Sequence, residues 1–304
     1  MDLKRIQKTV ARFFAWQSLV ISSLIIEIIP MFLLYPFANI LAKIAFLLIV
    51  RHRRVALDGL TIAFGKEKSR DEIKRIAKEC FNSLAKSVVE LLYFYDKPHL
   101  VKKRVILEER AVLDLALSKG KGVILVSGHF GNFPLLMLRL KIEGYAIGGI
   151  MRPMRDKRVE RIFEKRRRIS GIKTIGAYPR EVCIKETLQA LRNNEIIFIP
   201  IDQNFGKGGV FVDFFNRQAA TATGPIIFAL RTGAAVIPCF IIRENHNMQR
   251  VVFEQEFGIQ KEKVFSQTLQ RNIQGLTNII EFYIRRYPSQ WGWMHKRWKS
   301  QPKT

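Results

Sequence analysis

Cysteine and acid are what this sequence has least of. Its 304 residues include three cysteines, Cys80, Cys183 and Cys239, widely spaced and odd in number. No Cys-x-x-Cys pair and no Cys/His ligand spacing accompanies them, which argues against a disulfide scaffold and against a structural zinc site. A reducing compartment, such as the cytosolic side of a membrane, is the simplest setting for that usage. Asp and Glu number 26 against 51 Lys and Arg, a formal net charge of +25. Such an excess implies an anionic partner: nucleic acid, an anionic bilayer, a phosphorylated lipid or an acidic carrier protein. Also missing are a G-x-S-x-G nucleophile elbow, an internal repeat and any Gly/Pro-rich linker. Apolar residues make up 48% of the chain, enough for a substantial core, so a disordered tail protein is excluded.

What is present at the N-terminus is a long apolar run. After Lys4, Arg5, Lys8 and Arg12, residues 13–50 carry only Glu27 and Lys43 as charges. A bilayer core of about 30 Å takes roughly 20 apolar residues as a helix, so one tilted span fits. Pro30 and Pro36 are placed to kink that helix or divide it into two arms. Arg51, His52, Arg53 and Arg54 make the second flank basic too. The positive-inside rule then draws both ends to the cytoplasm, which favours a re-entrant hairpin as much as a crossing. The run is too long for a cleaved signal peptide, and no small-residue cleavage site follows it. The expected division is a membrane-associated hydrophobic segment over residues 1–50, a helix or hairpin, and a single α/β domain over 51–304.

Beyond that segment, Ile73, Ile76, Ala77, Phe81, Leu84, Val88, Leu91 and Leu92 recur at helical spacing within 69–95. Strands and helices then alternate. Buried-type strands are expected at 122–127 and 195–201, with others at 145–151, 210–215, 235–243 and 251–257. Helices are expected at 132–141, 181–193, 224–232 and 264–286, and a very basic one at 156–169. This alternation predicts an α/β fold, a central mostly parallel sheet flanked by helices.

The stretch Ser127-Gly128-His129-Phe130-Gly131-Asn132-Phe133-Pro134 stands where a buried strand passes to a helix, the usual place for functional groups in open α/β sheets. Gly128 and Gly131 let backbone approach a ligand closely, Asn132 is an N-cap type, and Pro134 is tolerated in a first helical turn. His129 is therefore a candidate catalytic base beside an anion-favouring helix N-terminus. In the basic helix, Arg152, Arg155, Lys157, Arg158, Arg161, Lys165, Arg166, Arg167 and Arg168 outnumber Asp156, Glu160 and Glu164. No stacking aromatics of a nucleic-acid motif lie beside them, so anionic lipid head groups suit this surface better than nucleic acid.

Gly128-His129-Phe130-Gly131-Asn132 resembles the histidine block of the late acyltransferases of lipid A biosynthesis, within the wider lysophospholipid acyltransferase group. Further blocks agree in order: Arg152-Pro153, Arg167 to Gly171, Asp202-Gln203-Asn204, Val212-Asp213-Phe214-Phe215, Thr221-Ala222-Thr223-Gly224, and the Trp-rich close from Pro288 to Trp298. The resemblance implies a membrane-associated enzyme on the cytoplasmic face of a bacterial inner membrane. It would pass a fatty acyl group from a thioester, acyl carrier protein for preference, to a hydroxyl of a glycolipid or lysophospholipid. No cofactor and no metal is implied. His129 would be the general base, Asp202 would orient it or position the acceptor, and Arg167, with Arg152, would hold phosphate or carrier. Gly128, Gly131 and Asn132 would line the substrate. One position departs from the family pattern His-x4-Asp/Glu: the acid is replaced by Pro134, and only Asp114 lies between Arg110 and Ile142. Asp202, closing another buried strand, is the candidate substitute. The competing expectation is a lipid-binding relative impaired in catalysis, and a carboxylate within hydrogen-bond reach of His129 separates the two.

Overall fold

The computed structural model describes residues 13, 16–17, 20–154, 156–206 and 208–302. Lys4, Arg5, Lys8 and Arg12 of the basic start, and Arg155 of the basic run, lie outside the described residues. Nine strands form among the described residues: β1 (Val105–Leu107), β2 (Val123–Ser127), β3 (Ile147–Met151), β4 (Lys173–Gly176), β5 (Ile196–Pro200), β6 (Val210–Asp213), β7 (Gln218–Thr221), β8 (Ala235–Arg243) and β9 (Gln249–Phe253). Seven of them make one sheet in the order β1-β9-β8-β2-β5-β3-β4. All neighbours run parallel except β8 and β9. The mostly parallel α/β sheet expected from the alternation is thus what the chain builds.

The buried runs in the sequence became the centre of this sheet for a simple reason. A strand covered by helices on both faces needs apolar side chains at every position, not every second one. β2 is buried throughout. Its Ile124 and Val126 enter one core, with Phe240, Ile273 and Trp291, while Val123 and Leu125 enter the other, with Leu136, Phe198 and Val251. The short β1, β4 and β7 were not anticipated, since three or four residues are too few to show a period. The expected strand 210–215 proves to be one arm of a separate antiparallel hairpin, β6–β7. Phe214 and Phe215 leave it and turn into the core. The strand expected at 251–257 ends at Phe253, although the Glu254 and Phe257 amides still donate to the Pro238 and Val236 carbonyls.

Pro30 breaks the N-terminal apolar run. Residues 20–28 are helical, a helix restarts over Met31–Leu48, and a further one, Val50–Phe64, follows at once. Pro36 stays inside the second of these without ending it. Met31–Leu48 is long and apolar enough to span a bilayer, with mean hydropathy 1.9. It packs Leu34, Ala38 and Ala42 inward and leaves Phe32, Ile40, Leu47 and Leu48 exposed. Helix Arg70–Phe94, against which it lies, starts on a capping box: the Ser69 hydroxyl accepts from the Glu72 amide while the Glu72 carboxylate accepts from the Ser69 amide.

Candidate active site

Strand register assembles the centre. β2 and β5 are adjacent and parallel, with Ser127 opposite Pro200. Two residues beyond each strand end stand His129 and Asp202, and the ladder is carried past the ends by the Ile201 amide donating to the Ser127 carbonyl at 3.0 Å. His129 Nδ1 lies 2.8 Å from Asp202 Oδ1. The His129 backbone amide donates to Asp202 Oδ2 at 2.7 Å, and Trp291 Nε1 donates to the same oxygen at 2.6 Å. A Cβ at Gly128 would meet the Asp202 carboxyl carbon at 3.2 Å, so any larger residue would press that carboxylate away by a few tenths of an ångström. Gly131 has φ +57°, and a Cβ would come within 2.0 Å of the Ile241 carbonyl oxygen.

The ionised Asp202 carboxylate is held under a buried Trp, with only 2% of its side chain exposed, while that of His129 keeps 32%. Burial by itself would raise the Asp202 carboxyl. The charge and hydrogen bonds of His129, with the Trp291 N–H, outweigh it and hold the group below the ordinary carboxylate range. Burial works against an imidazolium at His129, but the facing Asp202 charge and hydrogen bond win, so His129 titrates above an ordinary imidazole. With Nδ1–H directed at the carboxylate, the tautomer assigned by this bond leaves the Nε2 lone pair free. Phe133 fixes the ring from the side, at 5.3 Å between centroids, and itself stacks on Phe198. A cleft of about 90 Å³ opens beside His129, lined among others by Leu84, Ser87, Gly131, Gln290 and Met294. Cys80 also borders it, but burial pushes that thiol up to about 12, too high for a thiolate nucleophile.

The C-terminal segment closes the site, a role its sequence did not disclose. Phe130 and Trp291 form an antiparallel bridge, with the Gly131 amide donating to the Gln290 carbonyl and the Gly292 amide to that of His129. Trp291, Trp293 and Trp298 are buried in the core, and of the three Trp291 donates to Asp202. His295 and Arg297 stand within the field of Asp202. Burial above all holds the His295 imidazole down to about 4, and its Nδ1 is enclosed without a partner. Arg297 is 1% exposed, and its guanidinium donates to the Gln203 and Ala220 carbonyls and to the Thr221 hydroxyl.

Asn132 takes a different position from the one its type suggested. Its side chain does not cap helix Phe133–Ile142. It turns into the protein, where Nδ2 donates to Glu90 Oε2 at 3.0 Å and to the Ser87 carbonyl at 3.2 Å. Glu90 is fully buried and also accepts from Tyr35, Arg243 and Gln249. The network ties the turn after His129 to helix Arg70–Phe94, to β8 and β9, and to Tyr35 of the apolar helix Met31–Leu48. Glu90→Gln would turn a donor toward this ring of donors. The expected cost is about 1.5–3 kcal/mol, read as a lowered denaturant midpoint with the slope unchanged.

The two arginines singled out from the sequence are not brought to His129. Arg167, on helix Lys157–Ser170, pairs with Glu160 at 2.5 Å, and Arg152, exposed after β3, lies over the Tyr178 ring at 5.3 Å. Neither lines the cleft beside His129. Among the described residues no group of three His, Cys, Asp or Glu side chains could hold a metal ion.

Comparison with known proteins adds an independent line. A family model described as "Bacterial lipid A biosynthesis acyltransferase" matches residues 4–300. The chain is 25% identical over 263 residues to the lipid A biosynthesis palmitoleoyltransferase of Escherichia coli K12, covering 83% of this chain and 80% of that one. With the lauroyltransferase of the same organism it shares 22% identity over 294 residues, 94% and 92% of the two chains. A phosphatidylinositol mannoside acyltransferase of Mycobacterium tuberculosis is 28% identical over 127 residues, 41% of this chain and 40% of that protein.

Proposed function

Because the chain belongs to the bacterial lipid A biosynthesis acyltransferase family, we propose that it transfers a fatty acyl group from an acyl thioester to a hydroxyl of a membrane glycolipid, with His129 as general base. The observation that carries this is the 2.8 Å contact between His129 Nδ1 and Asp202 Oδ1. Where the family pattern has an acid five residues after the histidine, a carboxylate from the neighbouring strand takes the same imidazole.

In this reading Nε2 takes the proton of the acceptor hydroxyl as its oxygen attacks the thioester carbonyl. Asp202 stabilises the imidazolium that results and keeps the ring from turning. The carbonyl oxygen gains negative charge, which the N-terminus of helix Phe133–Ile142 favours, although Pro134 deprives that turn of one N–H donor. Collapse forms the ester and breaks the C–S bond, and the proton on His129 passes to the departing thiolate. The basic surface suits an acidic acyl carrier protein as donor, and helix Met31–Leu48 suits a membrane location on the cytoplasmic side.

The test is direct. The full chain, purified in mild detergent, is incubated with acyl carrier protein thioesters or acyl-coenzyme A and with a lipid A precursor or a lysophospholipid, and ester products are read by mass spectrometry. Acylated glycolipid is the expected product. Absence of any ester from every pairing would move the assignment to a lipid-binding relative without catalysis. On fractionation the chain should stay with membranes through a high-salt wash, and release by salt would refute the anchor.

A further inference from the structure

A second cleft, larger than the one at His129, is bordered by Trp298, where the first is bordered by Trp291. It has a volume of about 190 Å³ and is formed by helix Val50–Phe64 against the closing segment of the chain. Arg217, Lys296, Arg297 and Lys299 line it with His295, and Asp58 is its single carboxylate. None of those four cations forms an ion pair among the described residues, and Arg217, Lys296 and Lys299 make no side-chain hydrogen bond there either. That is unusual for Arg297, which is buried at 1% exposure. Buried charges are ordinarily paired with a carboxylate, yet Arg297 meets two carbonyls, a hydroxyl and the Phe214 ring at 5.2 Å, and its Nε has no hydrogen-bond partner among the described residues. His295 Nδ1 is a second enclosed polar atom without a partner on the same wall.

We propose that this cleft is a phosphate subsite, taking a phosphate group carried by one of the two substrates. The shape of the deficit selects the ligand. Among the described residues lining the cleft, the unpartnered N–H of Arg297 Nε and the three unpaired cations Arg217, Lys296 and Lys299 outnumber the one carboxylate, Asp58. A phosphate brings several acceptor oxygens and up to two negative charges, and the exposed Arg217 guanidinium can meet it with paired N–H groups. The location matters as well. Met294 lines the cleft at His129 and the next residue, His295, lines this one, so a molecule reacting at Nε2 is placed to reach it with a phosphate. Its source is either the head group of the lipid acceptor or the arm of the thioester donor. This inference rests on the acyl-transfer reading for the source of the phosphate, and on the cleft alone for the binding.

The experiment uses the full chain in detergent with inorganic phosphate as probe, at constant ionic strength with chloride as control. Wild-type protein should bind phosphate, seen by calorimetry or by a raised unfolding temperature. Arg217→Gln with Lys296→Gln and Lys299→Gln, all partly or fully exposed and so safe for folding, should weaken binding about tenfold or more. The same triple variant is then assayed for transfer. A raised KM for a phosphorylated acceptor, but not for its dephosphorylated form, identifies the head group. A raised KM for the donor identifies the donor arm. Phosphate affinity equal in wild type and variant, or none in either, overturns the subsite while leaving acyl transfer untouched. Phosphate binding that the variant loses, in a protein that transfers no acyl group, keeps the subsite and removes the enzymatic reading.

Discussion

His129→Ala should lower acyl transfer by about 10²–10⁴-fold while the protein stays folded. The size follows from the task. Without an imidazole the acceptor hydroxyl must lose its proton to water, whose basicity is far too low at neutral pH. The fold should tolerate the change, because His129 is one-third exposed and its loss leaves Asp202 still accepting from the His129 backbone amide and from Trp291. Initial rates with acyl carrier protein thioester, together with a thermal unfolding curve, check both halves. A variant within a few-fold of wild type would end the general-base assignment.

Asp202→Asn should cost a comparable factor through a different route. Asp202 Oδ2 accepts two N–H bonds, so in the variant the amide oxygen must take that place and the amide nitrogen must face His129 Nδ1. A donor there forces the other tautomer, with the proton on Nε2, and the nitrogen that should accept a proton now carries one. The pH dependence separates this from a merely structural loss. Proton abstraction needs neutral His129, so the acidic limb of kcat/KM marks its pKa, which Asp202 holds above an ordinary imidazole. Removing the carboxylate charge lets that pKa fall, so the residual activity of the variant should persist to lower pH than the wild type in relative terms. The double variant with His129→Ala should be little worse than either alone, since both serve one step. An acidic limb that does not move would show that Asp202 acts on the fold only.

The buried strands, the helix after His129 and the apolar N-terminal run were legible in the sequence because each rests on local pattern: uninterrupted apolar residues, Gly and Pro at a strand-to-helix turn, and scarcity of charge. His129 could be singled out for the same reason, since glycines flank it where β2 ends. Its partner could only be suspected. Asp202 follows 73 residues later, and nothing local states that β5 lies beside β2 in register. Pro134 illustrates the difference. Read along the chain it looks like the loss of a catalytic acid; in the folded protein the imidazole already has a carboxylate, supplied across the sheet.

Arg167 and Asn132 show the opposite case, in which a well-matched local block pointed to a contact the fold does not make. Arg167 meets Glu160 two turns earlier on the same face of its helix, and Asn132 meets Glu90 of a helix far earlier in the chain. Side-chain direction on a helix depends on what packs against it, and that was absent from the local pattern. Trp291 was visible as a residue but not as a site member, because its N–H reaches Asp202 only after the closing segment pairs with Phe130. The sequence by itself determined the sheet's buried strands, the apolar N-terminal run and the place of His129 at a strand end. Tertiary structure alone decided which carboxylate and which indole meet at His129, because hydrogen bonds are set by distances between segments that periodicity does not encode.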